Sequence, residues 1–233
     1  MRTIDEVRRA VDAAFAELDA PSWPDPHRGR RATEAEYGRF ADPERYRVLS
    51  LRLKAWSQVL SDQFGITVDH DVPQHTWAPA DVDDPTTVSA VTAAWRSALP
   101  GALALRVTTM DVDGQTFIEI GIDADPVDFA IIPDCGCDAC DTGSADLLTQ
   151  LDDVLASAAL GDLTVVIGPR RAHSDAEPGS PEPTFLIVGT GSGWFFDGDD
   201  PAEPAEIIDA VRSGDDPHLP EDCTIHHGGG WLS

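Results

Sequence analysis

Three cysteines lie within six positions in the segment PDCGCDACD at residues 133–141, and the chain has only one further cysteine, Cys223. Thiolates are good ligands for zinc, and a CxxC turn lets two of them approach one ion while backbone amides hydrogen-bond to the sulfurs. Cys137 and Cys140 have this spacing, and Cys135 can supply a third sulfur if the chain folds back. The segment therefore predicts a metal site, with zinc as the expected ion.

A tetrahedral zinc site needs a fourth ligand, which must come from elsewhere in the chain. The candidates are His27, Cys223, His226 and His227. The chain lacks the second CxxC pair that would make the signal specific. Structural zinc is enclosed by protein ligands, whereas catalytic zinc keeps a position for water and rarely has three thiolates. We therefore expect a structural ion that holds the loop between a strand near Phe129 and a helix beginning at Ser144.

Three other interpretations of the cysteines stay open: a redox dithiol, a disulfide, and reduced structural thiols. A redox dithiol needs one thiol of lowered pKa, which the N-terminus of the following helix could favour. Asp134, Asp138 and Asp141 oppose it, because carboxylates beside sulfur favour the neutral thiol. A divalent cation offsets those charges and deprotonates its thiol ligands. A disulfide between Cys135 and Cys140 is disfavoured by the reducing cytoplasm in which we expect the protein.

A second constellation is the segment VDHDVPQH at residues 68–75. Its His70, Asp71 and His75 could ligate a metal or supply a general base, as in a metal-dependent hydrolase, or could belong to a polar surface loop. The chain has no GxSxG nucleophile elbow, and the glycine-rich segment at 189–194 is not followed by a P-loop lysine. No residue can be assigned as catalytic, and the sequence favours a non-enzymatic protein.

The charge of the 233-residue chain is −26 and is unevenly distributed. Residues 1–60 contain 11 Lys and Arg against 10 Asp and Glu, and residues 61–233 contain 5 against 32, giving +1 and −27. Such a charge repels nucleic acid and anionic lipid and attracts basic protein surfaces, unless the acids merely solvate the surface. We find neither a signal peptide nor an apolar run of the ~18–20 residues that span a bilayer. We expect a cytoplasmic protein that binds neither nucleic acid nor membrane, with a basic protein surface as its candidate partner.

The elements that must position these residues are predicted from capping signals and hydrophobic periodicity. Thr3 and Glu6 form a capping box that predicts the start of a first helix. A second helix is predicted from Asp42 to Gly65, with its apolar residues on one face: Tyr46, Leu49, Leu53, Trp56 and Leu60. Further helices are predicted to begin near Asp84 and Ser144, and a last helix is predicted to end at Gly214. The turn DVDG at 111–114 predicts an antiparallel hairpin, and VDFAII, LTVVIG, TFLIVG and GWFF predict further strands. This order predicts an α+β fold, with a mainly antiparallel sheet packed with N-terminal and central helices.

The domain organisation that we expect is one domain over residues 1–233. A helical N-terminal arm would occupy residues 1–65, and a body containing the sheet would occupy residues 100–233. The tail at 223–233 is expected to be flexible unless Trp231 docks it. Trp23, in a loop rich in proline, glycine and arginine, is expected to be an anchor.

Several segments together resemble an uncharacterised actinobacterial family, the domain of unknown function numbered sixty-two twenty-six. They are SWPDPHRGR, EAEYGRFADPERYRVL, KAWSQVL and PDCGCDACDTGSADLLTQLDD, and the resemblance extends over essentially the whole chain. The matching residues are Trp23, Pro24, Asp25, Pro26, His27, Cys135, Cys137, Asp138, Cys140 and Asp141. The resemblance implies a cytoplasmic bacterial protein and no established activity. The family pattern has no counterpart to Cys223 or to the tail histidines, which favours His27 as the fourth ligand.

Overall fold

The computed structural model describes residues 3–72, 88–171, 182–183, 185–198 and 203–232. The helices are α1 (Ile4–Ala16), α2 (Arg47–Phe64), α3 (Ser144–Leu160) and α4 (Pro204–Ser213). The strands are β1 (Thr67–Asp69), β2 (Val88–Arg96), β3 (Leu105–Val112), β4 (Gln115–Ile122), β5 (Asp128–Ile132), β6 (Thr164–Ile167), β7 (Arg170–Arg171), β8 (Glu182–Pro183), β9 (Phe185–Gly189), β10 (Trp194–Gly198) and β11 (Thr224–His227). These strands pair antiparallel in sheets of five, four and two strands. The predicted α+β class is thereby confirmed.

The chain divides into two compact units. The first contains Met1–Ala98, Ala104–Asp152 and Leu232, and the second contains Leu99–Leu103, Asp153–Trp231 and Ser233. The division falls within α3. The helices expected in an N-terminal arm therefore belong to the same unit as the five-stranded sheet. That the whole chain acts as one domain stays a prediction.

The first unit contains a five-stranded meander in the order β1-β2-β3-β4-β5, with α2 packed against β4 and α1 packed against α2. The predicted helix signals are confirmed at both helices. Thr3 and Glu6 form the capping box of α1. A 3₁₀ turn at Pro43–Tyr46 leads into α2, which ends at Gly65 with a left-handed φ of 66°. The apolar residues that were predicted to share a face of the second helix are all buried: Tyr46 in the 3₁₀ turn, and Leu49, Leu53, Trp56 and Leu60 in α2.

A buried ion pair joins the helices of the first unit. The guanidinium of Arg52 donates to both carboxylate oxygens of Asp152, at 2.8 and 2.5 Å, and to Asp12 at 2.8 Å. Trp56 Nε1 donates to the same Asp152 carboxylate at 2.6 Å. Because a buried charge is costly without a partner, this network fixes how α1, α2 and the first half of α3 pack together.

The segment predicted as a third helix is instead a strand where the structure describes it, and its predicted start at Asp84 lies outside the described residues. Val88, Val91 and Trp95 have helical spacing, but Val91 is 57% exposed while Ala93 and Trp95 are buried. The segment is rich in β-branched residues, which favour strands. Eight of its residues pair with β3, and this pairing prevails over a weak helical period.

The second unit contains a four-stranded sheet in the order β10-β9-β6-β11, and α4 contacts three of its strands, β6, β9 and β10. Its core cluster consists of Val166, Phe185, Ile187, Ile207 and Ile208. The expectation of a flexible tail is wrong for the described residues. Thr224–His227 pairs with β6, and Trp231 is 1% exposed and donates its indole N–H to the Leu103 carbonyl at 2.9 Å. The docking of Trp231, the alternative that the sequence left open, is confirmed.

Among the residues that the structure describes, no helix has both the length and the apolar composition that crossing a membrane requires.

Candidate metal centre

The three clustered cysteines lie in the loop between β5 and α3, as the sequence predicted. Cys137 precedes a 3₁₀ turn at Asp138–Cys140, in which the Cys140 amide donates to the Cys137 carbonyl at 3.0 Å. Gly136 lets this loop approach β4 closely, because a Cβ atom there would stand 1.6 Å from the Gln115 side-chain nitrogen. That nitrogen donates to the Gly136 carbonyl at 3.1 Å. The loop is therefore anchored to the sheet one residue before Cys137.

The three sulfurs all lie within 4.8 Å of one another, so the cluster can hold a metal ion. The Sγ atoms of Cys135 and Cys137 lie 3.3 Å apart. Zinc–sulfur bonds of about 2.3 Å in a tetrahedron place the sulfurs about 3.8 Å apart, so small side-chain rotations suffice to bind one ion. Cys137 is buried, Cys135 is half-buried and Cys140 is exposed. The sulfurs are therefore accessible to an ion from the side of Cys140.

The protonation of the cluster shows why a cation would matter. Burial disfavours the Cys137 thiolate, but hydrogen bonds from the Gly38 amide, the Cys135 thiol and the Cys140 amide outweigh it and lower the pKa of Cys137 to about 7. Hydrogen bonds with Cys135 and Cys137, together with burial and like charge, raise the pKa of Cys140 to about 12. These contacts thus favour the thiolate at Cys137 and the neutral thiol at Cys140. A divalent cation supplies positive charge that would favour ionisation of Cys140 as well.

Two of the three acids beside the cysteines, Asp138 and Asp141, form ion pairs with arginines. Asp138 accepts hydrogen bonds from Arg39 Nε at 2.5 Å and from the Ala41 amide at 3.0 Å. Burial opposes its ionisation, but the Ala41 amide and Arg39 lower the pKa of Asp138. Asp141 is buried and accepts from Arg45 Nη2 at 2.6 Å. Because their charges are paired, Asp138 and Asp141 oppose ionisation of the neighbouring thiols less than the sequence predicts.

Trp23 anchors the N-terminal loop against the cysteine segment. Trp23 Nε1 donates to both Asp141 oxygens, at 2.9 and 3.1 Å, and its backbone exchanges hydrogen bonds with Ser144. The Arg45 guanidinium lies 4.8 Å from the centre of the Trp23 ring, and Tyr46 meets that ring edge-on at 5.6 Å. The structure therefore supports the predicted role of Trp23 and explains it by the contact with Asp141.

His27, the fourth ligand favoured by the family resemblance, contacts the same segment. Its Nε2 lies 2.7 Å from the Asp138 carbonyl oxygen, so Nε2 carries the proton and donates it. Its Nδ1 is buried and has no hydrogen-bond partner among the described residues. No nitrogen of His27 belongs to the group of atoms within 4.8 Å of one another. Its ligation stays a prediction.

The other candidate ligands lie in the second unit. Cys223 is half-buried and packs against the apolar core cluster there, and burial, followed by the charge of Asp222, raises the pKa of its thiol. His227 Nδ1 lies 3.0 Å from Thr164 Oγ1 and 3.2 Å from the Leu163 carbonyl oxygen. Ligation by Cys223, His226 or His227 also stays a prediction.

Of the three residues considered for a metal-dependent hydrolase, the structure describes His70 and Asp71. His70 and Asp71 are exposed, and His75 lies outside the described residues. The neighbouring Asp69 pairs with Arg96 at 2.9 Å. The turn DVDG joins β3 to β4, and Asp111 accepts a hydrogen bond from the Gly114 amide at 2.9 Å, so the predicted hairpin is confirmed.

Arg39 and Arg45 contact the candidate site, and sequence reasoning did not single them out. The available signal was the charge asymmetry, because the arginine-rich start precedes a strongly anionic body. The sequence could not show which acids these arginines meet, since each pair joins residues more than 90 positions apart.

Fold and site together define an α+β protein whose three clustered cysteines can hold a metal ion. Residues 11–231 match the model of a family of unknown function, DUF6226, and the chain belongs to this family. The family resemblance carried by the loop and cysteine segments is thereby confirmed. Comparisons with curated proteins and with solved structures give no match.

Proposed function

We propose that this protein is a non-enzymatic, cytoplasmic accessory protein that binds a basic protein partner, and that one structural zinc ion holds its cysteine loop. The observation that carries the metal part is the convergence of Cys135, Cys137 and Cys140, whose sulfurs lie within 4.8 Å of one another. Contacts with Arg39, Arg45 and Trp23 hold this loop in place.

Zinc is the ion that this donor set favours, because thiolates select zinc over magnesium and calcium, which prefer oxygen. Three thiolates also favour a structural role over a catalytic one. A zinc-bound histidine usually donates its other ring N–H to a carbonyl or carboxylate. His27 already makes such a bond through Nε2 to the Asp138 carbonyl, which would leave Nδ1 as the fourth ligand.

The metal part is tested by elemental analysis of untagged protein purified under reducing conditions. We expect about one zinc per chain, and its loss in each of Cys135→Ser, Cys137→Ser and Cys140→Ser. Cys223→Ser is the matched control and should retain zinc, while His27→Ala should weaken zinc affinity at least ~10-fold. Wild-type protein that contains no zinc and takes up none after reduction would contradict the proposal. Full retention by His27→Ala would contradict only the role of His27.

The partner part is supported by the charge of −27 over residues 61–233, which attracts cationic surfaces. It is tested by calorimetric titration with a polyarginine peptide of about ten residues, and with a polyglutamate peptide of the same length as control. We expect binding of polyarginine alone, weakening as salt is raised from about 50 to about 300 mM. Equal behaviour of the two peptides would contradict the proposal.

A thiol redox function is the second candidate, and two observations favour it. The sulfurs of Cys135 and Cys137 lie 3.3 Å apart, and the pKa of Cys137 is lowered to about 7. In thiol–disulfide exchange, one protein thiolate would attack a substrate disulfide, forming a mixed disulfide and releasing one substrate thiol. The second protein thiolate would then attack the protein sulfur of the mixed disulfide, which releases the other substrate thiol and leaves the two cysteines oxidised to a disulfide. Zinc-free protein that reduces a model disulfide, with Cys137→Ser inactive, would favour this function over structural zinc.

A further inference from the structure

The edge strand β10 presents two large aromatic side chains to solvent. Among the described residues, β10 pairs with β9 and lies at the end of its sheet, so one row of its backbone groups faces outward. Trp194 is 53% exposed and Phe195 is 56% exposed. Adjacent residues of a strand point to opposite faces, so both faces of this edge carry exposed aromatic surface. Such an edge can pair with a further strand.

A cavity of about 270 Å³ lies beside Trp194. Its walls are the turn from Thr190 to Trp194 and the residues Ala205, Ile208, Asp209 and Arg212 of α4. Pockets for drug-sized ligands measure about 300–1,000 Å³, so this cavity suits a single long side chain better than a free ligand of that size. The turn is closed by the Thr190 amide, which donates to the Gly193 carbonyl at 2.7 Å.

Two charged residues, Arg212 and Asp209, line the cavity. Arg212 Nη2 donates to the Thr190 carbonyl at 3.0 Å and to the Asp162 carbonyl, which ties it to the backbone at one side of the cavity. Asp209 lies one helical turn earlier on α4 and is exposed. The cavity is thus lined by a carboxylate and an indole side chain, and both kinds of group can recognise an organic cation.

The net charge of the sequence segment that contains β10 favours a basic occupant. Residues 153–231 contain 15 Asp and Glu against three Arg, a formal charge of −12. β10 itself contributes Asp197. A second copy of the chain would bring another −26 to the edge and be repelled, whereas a basic segment would be attracted.

We infer that β10 and the adjoining cavity form the docking site for an extended, arginine-containing segment of a partner protein. The segment adds a strand to the free edge of β10, and one of its arginines enters the cavity, stacks on Trp194 and pairs with Asp209. Strand addition uses main-chain hydrogen bonds for affinity and side-chain pockets for specificity. Arginine suits this cavity better than lysine because its planar guanidinium stacks on aromatic rings and binds carboxylates bidentately. This inference rests on the proposed binding of a basic partner.

The experiment measures fluorescence anisotropy of a labelled nine-residue peptide in which arginine and threonine alternate. We expect Trp194→Ala to weaken binding about tenfold and Asp209→Asn about threefold. Tyr37→Ala and Asp62→Asn are matched controls, since both residues are exposed and belong to the first unit, and should change affinity less than about twofold. A peptide N-methylated at alternate residues loses strand hydrogen bonds and should bind at least ~10-fold more weakly.

The outcomes distinguish failure of the proposed β10 site from failure of the proposed binding of basic partners. Wild-type affinity in both Trp194→Ala and Asp209→Asn would overturn the site while leaving the binding of basic partners intact. An unchanged affinity for the N-methylated peptide would overturn strand addition. No binding of either this peptide or polyarginine would overturn the proposed partner as well. Dimerisation of the wild type that Trp194→Ala abolishes, seen by sedimentation velocity, would assign the edge to a second copy and overturn the inference.

Discussion

At the scale of single residues, the acids next to the cysteines have a different role from the one their positions in the sequence indicate. Asp138 and Asp141 lie one residue from a cysteine, yet their carboxylates meet Arg39 and Arg45. Each buried carboxylate also accepts a backbone amide hydrogen bond. These residues therefore hold the loop in position, and the sulfurs remain the candidate metal ligands.

This assignment predicts a large effect of Asp141→Asn on stability. The substitution would leave the Arg45 guanidinium, whose side chain is 19% exposed, without its carboxylate partner. Removing one partner of a buried ion pair costs about 3–5 kcal/mol of the free energy of unfolding. Asp134→Asn, at an exposed position in the same loop, is the control and should cost less than ~1 kcal/mol. Urea denaturation checks both, and equal costs would contradict the assignment.

A second residue-scale prediction concerns Glu119, a buried carboxyl group on β4. It is 2% exposed, and its Oε2 has no hydrogen-bond partner among the described residues. Burial, and then the charge of Asp128, raise the pKa of Glu119 from 4.5 to about 7. Between these values the unfolded chain releases a proton that the folded protein keeps, so stability falls as pH rises.

The expected loss between about pH 4.5 and pH 7 is on the order of 3 kcal/mol, and it is complete above pH 7. Glu119→Gln removes this titration. The free energy of unfolding of the variant minus that of the wild type should therefore increase as the pH rises. Denaturation curves at several pH values check this difference. A difference that stays constant with pH would contradict the raised pKa.

At the scale of elements, strong local signals in the sequence predicted the fold well. The capping box of α1, the glycine that ends α2 and the DVDG turn all formed as predicted, because each is specified by neighbouring residues. The assignment of β2 failed because its outcome depends on pairing with β3, which a periodicity over one segment cannot show. β11 was missed for the same reason, since it pairs with β6 from about 60 positions away.

In the candidate site too, features specified by neighbouring residues were predictable and contacts between distant residues were not. The grouping of the three cysteines was predictable, because they are close in sequence and form one turn. The contacts of Arg39, Arg45 and Gln115 with that turn were not, because they come from distant elements.

The packing of the cysteine loop on β4 gives a prediction at this scale. In Gly136→Ala the new methyl group would overlap the Gln115 side chain, so we expect a loss of about 2 kcal/mol and weaker zinc binding. Shortening the neighbour should restore the space, so the loss should be much smaller in a Gln115→Ala background. Gly193→Ala, where the methyl group meets open space, is the control. A Gly136→Ala cost that Gln115→Ala leaves unchanged would contradict this account.

At the scale of the whole molecule, the net charge of −26 sets the response to salt. Repulsion among like charges destabilises a compact chain, and salt screens it beyond a Debye length of about 10 Å at 0.1 M. We therefore expect the Tm to rise by ~2–4 °C from about 10 to about 150 mM NaCl. Differential scanning calorimetry measures this change. A Tm that falls with salt would show that ion pairs, and not self-repulsion, dominate the electrostatics.

The same charge determines how the proposed centre would bind its ion. An anionic surface raises the local concentration of cations, so the purified protein should also hold other metals weakly. Only an ion bound by the cysteines should resist dialysis and depend on the three sulfurs. The identity of the atoms around the zinc therefore separates the proposed centre from nonspecific binding.

X-ray absorption at the zinc edge, on dialysed and reduced wild-type protein, is the most direct test of the central claim. We predict a shell of three sulfur atoms at about 2.3 Å and one nitrogen atom at about 2.0 Å. A shell containing only nitrogen and oxygen, or protein that retains no zinc after dialysis, would contradict the claim that Cys135, Cys137 and Cys140 bind one structural ion.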